Sequence, residues 1–165
     1  MEVHLNDRDA IVTKTDNKGI ITFVNDDLLR VTGYSEEELI GKKHNIFRHP
    51  DMPSELFENL WHTILSEFTW RGVVKNKTKD GGFYWVHEDI SPIYENKLLV
   101  GYLSVRVKPK INEIKKAEIA YSKNDINTFS TFNSRDDHGF ATMTRLTGII
   151  PFPKNSPWKL VVKGE

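Results

Sequence analysis

Apolar and β-branched residues predict two β-strands near the start of the chain. They fill residues 10–15 and 20–24, and residues 16–19 (DNKG) stand between them. Asn and Gly accept the positive φ angles of a tight turn at little cost. The two segments are therefore expected to pair as a hairpin.

Capping signals predict two short helices after this hairpin. Asn25 and Asp26 are suitable N-cap residues for a helix over residues 27–32. Ser35 and Glu38 have the spacing of a capping box, in which each side chain bonds the other residue's backbone N–H. A second helix is expected to begin there.

The longest amphipathic stretch follows a polar loop over residues 42–53. Ser54 is the expected N-cap of this third helix. Apolar side chains recur at the spacing of one helical face, which predicts an amphipathic helix. They are Leu56, Phe57, Leu60, Trp61, Ile64 and Leu65.

Three further strands are predicted over residues 70–76, 83–94 and 98–107, with turns at residues 79–82 and 95–97. Two strands, several short helices and three antiparallel strands, in that order, indicate an α+β domain. We expect a five-stranded antiparallel sheet with the helices gathered on one face.

The predicted domain covers residues 10–108 and follows a flank of residues 1–9. A C-terminal helix is expected within residues 109–122, and residues 123–165 are interpreted as an irregular extension rich in Ser, Asn and Thr. The aromatic residues expected to pack this extension are Phe129, Phe132, Phe140 and Trp158.

Charge and composition exclude several classes of function. Lys plus Arg and Asp plus Glu both number 23, so the chain has no basic footprint for nucleic acid. The absence of cysteine excludes disulfides, thiolate metal sites, cysteine nucleophiles and photochemistry through a cysteinyl flavin adduct. No apolar run approaches the roughly 20 residues that cross a bilayer, and the N-terminus has no signal-peptide core. We expect a cytoplasmic protein that reaches a membrane only through a partner.

Several strings resemble the PAS domain of bacterial aerotaxis receptors. Thr-Gly-Tyr at residues 32–34 is common to PAS domains and specifies the fold, whereas RHPDMP at 48–53 followed by WRGVVKN at 70–76 is specific to the flavin-binding aerotaxis type. The resemblance covers roughly residues 10–108. Its other strings are DNKGIITFVN at 16–25, ELIG at 38–41, GFYWV at 82–86 and GYLSVR at 101–106.

This resemblance implies a PAS fold that holds FAD non-covalently between sheet and helices, with redox state as the signal for energy taxis. The family's flavin-retaining positions match Arg48, His49, Asp51, Trp70 and Asn76. The receptors continue into a membrane anchor and a signalling coiled coil, and neither is expected here. The chain thus resembles a stand-alone PAS member of a bipartite system, with a membrane-bound chemoreceptor-like transducer as partner. The resemblance leaves homodimerisation open.

The residue chemistry is compatible with a flavin. Such a site needs an apolar slot, an amide for the ring's imide edge and a cation for the phosphates. Asn76 donates and accepts hydrogen bonds at once, and Arg48 can bind phosphate oxygens bidentately. Asp51 is expected to orient Arg48 or His49, or to cap the following turn. FMN in place of FAD stays open.

Aromatic residues have both a ligand and a core interpretation. Trp70 either contacts the ligand or packs in the core, whereas Trp61 and Trp85 are expected in the core. Tyr84 should face the opposite side of its strand from Trp85 because side chains alternate along a strand.

Two alternative functions remain at this point: a haem-binding oxygen sensor and a ligand-free PAS adaptor. Haem requires an axial histidine, for which the candidates are His44, His49, His62 and His87. Motifs of nucleotide-binding enzymes and of serine hydrolases are absent from the sequence, so we expect no catalytic activity. Three acidic residues in or after the predicted turn at residues 79–82 are interpreted as turn and strand-face residues: Asp80, Glu88 and Asp89.

Overall fold

A computed structural model describes residues 1–125, so the aromatic residues of the expected extension lie outside the described residues. The strands are β1 (Ala10–Asp16), β2 (Ile21–Val24), β3 (Trp70–Lys77), β4 (Phe83–Glu95) and β5 (Leu98–Val107). The α-helices are α1 (Asp26–Thr32), α2 (Glu36–Leu39), α3 (Ser54–Leu65) and α4 (Ile111–Ser122), with a 3-10 turn at His44–Phe47. None of the described helices is long and apolar enough to span a membrane.

The strands form one antiparallel five-stranded sheet in the order β2-β1-β5-β4-β3, which confirms the predicted fold class. β5 pairs with β1 on one side and with β4 on the other. The first and last strands of the domain therefore lie side by side at its centre. This register sets Ser104 opposite Thr13 and Ile90, and sets Arg106 opposite Glu88.

Alternation along the strands gives the sheet two different faces. On the inner face, Val74 and Val86 share one apolar core with Leu56 of α3. On the outer face, Trp85 stacks on Tyr121 of α4 with the ring planes 9° apart. Trp85 is therefore a core residue, as the sequence predicts.

Tyr84 confirms the expected alternation, because it is fully buried on the inner face beside Asn76. The turn that follows β3 also forms as predicted. Asp80 accepts a hydrogen bond from the backbone N–H of Gly82 at 3.1 Å within that turn. The turn between β4 and β5 is tight, since Asn96 and Lys97 both take positive φ.

The helix starts agree with the capping signals in two of three cases. Asn25 caps α1 by accepting a hydrogen bond from the N–H of Leu28 at 3.3 Å, and the capping box opens α2. The expected N-cap of α3 is wrong by one position. The carbonyl of Pro53 accepts the first helical hydrogen bond, from Leu56, so Ser54 is already helical.

In α3 and α4, some residues of the apolar face remain exposed to solvent. Leu65 of α3 is 63% exposed, and Ile111 and Ile119 of α4 are also exposed. In α4, Ala117 and Ala120 make the buried contact with the sheet instead. Small side chains let that helix lie close to the outer face.

Candidate cofactor-binding site

A cavity of about 200 Å³ lies between the inner face of the sheet and α3. Its wall combines a large apolar surface with a few polar side chains, which is the usual composition of a small-molecule site. The apolar residues include Phe47, Phe57, Leu60, Trp61, Ile64 and Ile90.

Arg48 and Asn76 are neighbours on this wall. Their backbones form an antiparallel bridge, so the loop after the 3-10 turn extends the sheet beyond edge strand β3. Directly bridged residues present their side chains to the same face, and both side chains line the cavity. The guanidinium carbon of Arg48 lies 3.9 Å from the ring centre of Phe57, a cation–π contact that links this loop to α3.

His49 and Asp51 belong to the same loop but are not among the cavity-lining residues. The His49 ring packs edge-on against Phe83, with the ring centroids 5.9 Å apart. The Asp51 carboxylate accepts a hydrogen bond from Lys75 Nζ at 2.6 Å, and this contact lowers the pKa of Asp51. These contacts attach the loop to β3 and β4 next to Arg48.

Trp70 is buried in the core and is likewise absent from the cavity lining. Its indole N–H donates a hydrogen bond to Oδ1 of Asn59 in α3 at 3.0 Å. Its ring covers Gly72, where an added Cβ would lie 2.4 Å from the indole. Of the five predicted site residues, the structure thus brings Arg48 and Asn76 together at the cavity. The cofactor role of all five stays a prediction.

A buried polar cluster on the inner face escaped the sequence reasoning. Arg106, with no exposed surface, donates from Nε to Glu88 Oε1 at 2.7 Å. The Ser104 hydroxyl donates to the same oxygen at 2.6 Å. The other side of the guanidinium meets Thr13 and Nε2 of His44. His44, Glu88 and Ser104 line the cavity.

Glu88 lies on a strand face, as expected, but on the inner face, where its Oε1 accepts from both Ser104 and Arg106. The sequence signal was its register: Tyr84, Val86, Glu88 and Ile90 alternate inward along β4. A charged residue among apolar ones in that register indicates a buried pair. Its partner, Arg106, is distant in sequence, so pattern alone did not connect them.

The cluster has a defined charge distribution. Burial, together with the positive charge of Arg106, lowers the pKa of His44 to about 3, so its imidazole is neutral at pH 7. Burial by itself raises the pKa of Glu88, but the charge of Arg106 and the hydrogen bond from Ser104 leave that pKa below its ordinary value. Burial also raises the pKa of Tyr84. The cluster therefore holds one carboxylate and one guanidinium.

Trp61 has a different position from the one that the sequence predicts. It is 39% exposed and lines the cavity, so it is not a core residue. Its ring meets Tyr102 edge-on with the centroids 5.8 Å apart. Its position on the flank of α3's apolar stripe was the available signal.

Buried polar groups near the cavity that have no hydrogen-bond partner among the described residues include Nη1 of Arg106 and the hydroxyl of Tyr102, which itself lines the cavity. Buried polar groups are normally paired with protein, water or ligand. An apolar slot with an amide, a cation and unpaired donors fits a flat, polar-edged ring such as a flavin. In residues 1–125 no group of three His, Asp or Glu side chains is placed to hold a metal ion.

The family model described as PAS fold matches residues 21–106, just over half of the 165 residues. The chain belongs to this family. It is 38% identical to the aerotaxis receptor of Escherichia coli (strain K12) over 117 residues, which cover 71% of this chain and 23% of the receptor. The chain thus spans less than a quarter of that relative's length.

Solved structures agree on the fold. A PAS domain from Colwellia psychrerythraea has a TM-score of 0.52 and 28% identity, covering 61% of this chain and 86% of that one. The dark structure of the blue-light photoreceptor Aureochrome1 LOV has a TM-score of 0.59 and 18% identity, covering 67% and 86%. At the latter identity the likeness concerns the fold alone. The chain is therefore a PAS sensor domain similar to that of the aerotaxis receptor.

Proposed function

We propose that this chain is a redox sensor that holds FAD non-covalently in the cavity and signals to a membrane-bound chemoreceptor-like transducer. The observation that carries the proposal is the side-by-side placement of Arg48 and Asn76 on an otherwise largely apolar wall. An amide next to a cation is the pair that a ring with an imide edge and a phosphate tail requires.

The size of the cavity suggests which part of FAD would lie inside it and which part outside. Its volume of about 200 Å³ is below the roughly 300–1,000 Å³ of typical drug-sized sites. This space suits a ring system better than a whole dinucleotide. Arg48 is half-buried, so phosphates bound there would lie partly in solvent.

Each wall residue would make a separate contribution. Asn76 would donate to a carbonyl and accept from an N–H on the ring edge, Arg48 would bind phosphate, and Phe57 and Trp61 would exclude water. A bound flavin would supply reversible electron transfer. Trp61 and Asn45 are the exposed residues of the wall, and Arg48 is half-buried.

Similarity to the aerotaxis receptor supports energy taxis as the context. We place the signalling surface on the outer face of the sheet and the N-terminal segment. That segment is attached to the sheet at Phe83, which bonds the backbones of Met1 and Val3. Phe83 also packs against His49, next to Arg48, so a change at the cavity has a short route to the N-terminal segment.

Binding measurements test the proposal. Ligand-stripped protein should bind FAD with a defined affinity, and FMN more weakly because it lacks the second phosphate and the adenosine. Asn76→Ala removes hydrogen bonds to a buried edge and should weaken binding about 5-fold or more, since leaving a buried polar group without its partner costs about 1–3 kcal/mol. Lys77→Ala is the matched control, because Lys77 is the next residue on β3 and does not line the cavity.

Equal affinities for wild type, Asn76→Ala and Lys77→Ala would show that the cavity is not the binding site. A Soret band after reconstitution with haem would favour the oxygen-sensor alternative. In that case His44 would have to give up the contact between its Nε2 and Arg106, or ligate through Nδ1. Failure to bind any of these cofactors would leave the ligand-free adaptor.

A further inference from the structure

The Glu88–Arg106 pair has no role in the binding scheme above, yet it is the most deeply buried ion pair among the described residues. Arg106 has no exposed side-chain surface and Glu88 only 6%. Burying two charges costs several kcal/mol, and well-packed apolar residues in their place are often as stable or more so. Fold stability is therefore a weak explanation for this pair.

The guanidinium of Arg106 uses only part of its donor capacity. Nε binds Glu88, and Nη2 contacts Thr13 and His44, whereas Nη1 has no partner among the described residues. Arginine has only donors, so Nε2 of His44 must accept, which requires a neutral imidazole. The cluster thus presents a fixed positive and a fixed negative charge, with the two N–H groups of Arg106 Nη1 to spare.

This cluster is directly behind the cavity. His44, Glu88 and Ser104 line it, and so does Phe47, whose ring centre is 5.7 Å from the guanidinium carbon of Arg106. Charges in a poorly solvated wall act strongly on whatever occupies the cavity. A ligand that gains negative charge would be stabilised by Arg106 and destabilised by Glu88.

We propose that the Glu88–Arg106 pair sets the reduction potential of the redox cofactor held in the cavity, Arg106 raising it and Glu88 lowering it. This inference rests on the proposed function. Reduction of a bound flavin would take electrons from the reductant and protons from water. Where the reduced ring would carry more negative charge than the oxidised ring, Arg106 would stabilise the reduced form and Glu88 would destabilise it.

The test is a spectroelectrochemical titration of flavin-loaded protein, with dithionite as reductant. Glu88→Gln removes the negative charge with little change in shape and should shift the midpoint potential to a more positive value. Arg106→Gln leaves Glu88 unpaired and should shift it to a more negative value. Asp89→Asn is the matched control. It makes the same charge change on the next residue of β4, which contacts Arg71 and His87 on the outer face.

Opposite shifts for Glu88→Gln and Arg106→Gln, with Asp89→Asn close to wild type, support the inference. If Arg106→Gln does not fold, a positive shift in Glu88→Gln that is absent from Asp89→Asn supports it alone. Equal potentials in Glu88→Gln, Asp89→Asn and wild type overturn this inference and leave flavin binding intact. A wild-type chain that takes up no flavin overturns both the proposed function and this inference.

Discussion

The contacts of RHPDMP separate its residues into two groups. Arg48 bridges Asn76 and faces the cavity, while His49 packs on Phe83 and Asp51 pairs with Lys75. Arg48 and His49 are adjacent in extended backbone, where side chains point in opposite directions, and Asp51 lies in the turn that follows. We propose that His49 and Asp51 position Arg48.

The pKa of His44 gives a residue-scale prediction about acid stability. This pKa is about 3 in the folded chain, whereas the ordinary value of 6.5 applies to the unfolded chain. Between these pH values the unfolded chain binds more protons at this site, so His44 contributes stability above pH 6.5 that is lost as pH falls toward 3. We expect His44→Gln to lose less stability than wild type across this window.

Chemical denaturation at a series of pH values measures this effect. His62→Gln, on the exposed side of α3, is the control and should follow the wild-type curve. Glu88 is present in all three proteins, so its own contribution to acid sensitivity is retained. Parallel curves for wild type and His44→Gln would contradict the assigned neutral state of His44.

At the scale of elements, the pairing of β1 with β5 depends on a close approach at Gly101. A Cβ at this position would lie 1.9 Å from the backbone oxygen of Thr15, and a backbone in the centre of a sheet has little freedom to shift. Gly101→Ala should therefore cost about 3 kcal/mol or more, at or above the upper end of typical overpacking penalties.

Thermal or urea unfolding measures this loss, and Gly72→Ala provides the comparison. Its added Cβ meets the Trp70 side chain at 2.4 Å, and a side chain can move further than a backbone. The loss at Gly72 should therefore be the smaller one. The reverse ranking would show that β1 and β5 separate more easily than their register implies.

The strands and helices were predictable to within a few residues because each depends on local signals. β3, β4 and β5 follow the predicted segments, and the Asp80 and Asn96 turns form where expected. The strand order was not predictable, since β1 pairs with β5 across most of the domain. The same limit hid Arg106, whose partners Glu88 and His44 are brought to it only by the folded sheet.

At the scale of the whole molecule, the site combines a part that sequence motifs reveal with a part that only folding assembles. Arg48 and Asn76 belong to strings that resemble the aerotaxis type, and the structure places both on one wall. Trp61 of α3 and Glu88 of β4 line the same wall, and Arg106 of β5 pairs with Glu88 behind it. This arrangement is compatible with a cofactor that is held at its edge and adjusted by buried charge.

The absorption spectrum of the purified chain, before and after dithionite, is the most direct test for a bound flavin. We expect a yellow protein whose flavin bands bleach on reduction and return in air. A colourless protein that also takes up no FAD when refolded with an excess of it would rule out the proposed flavin sensor.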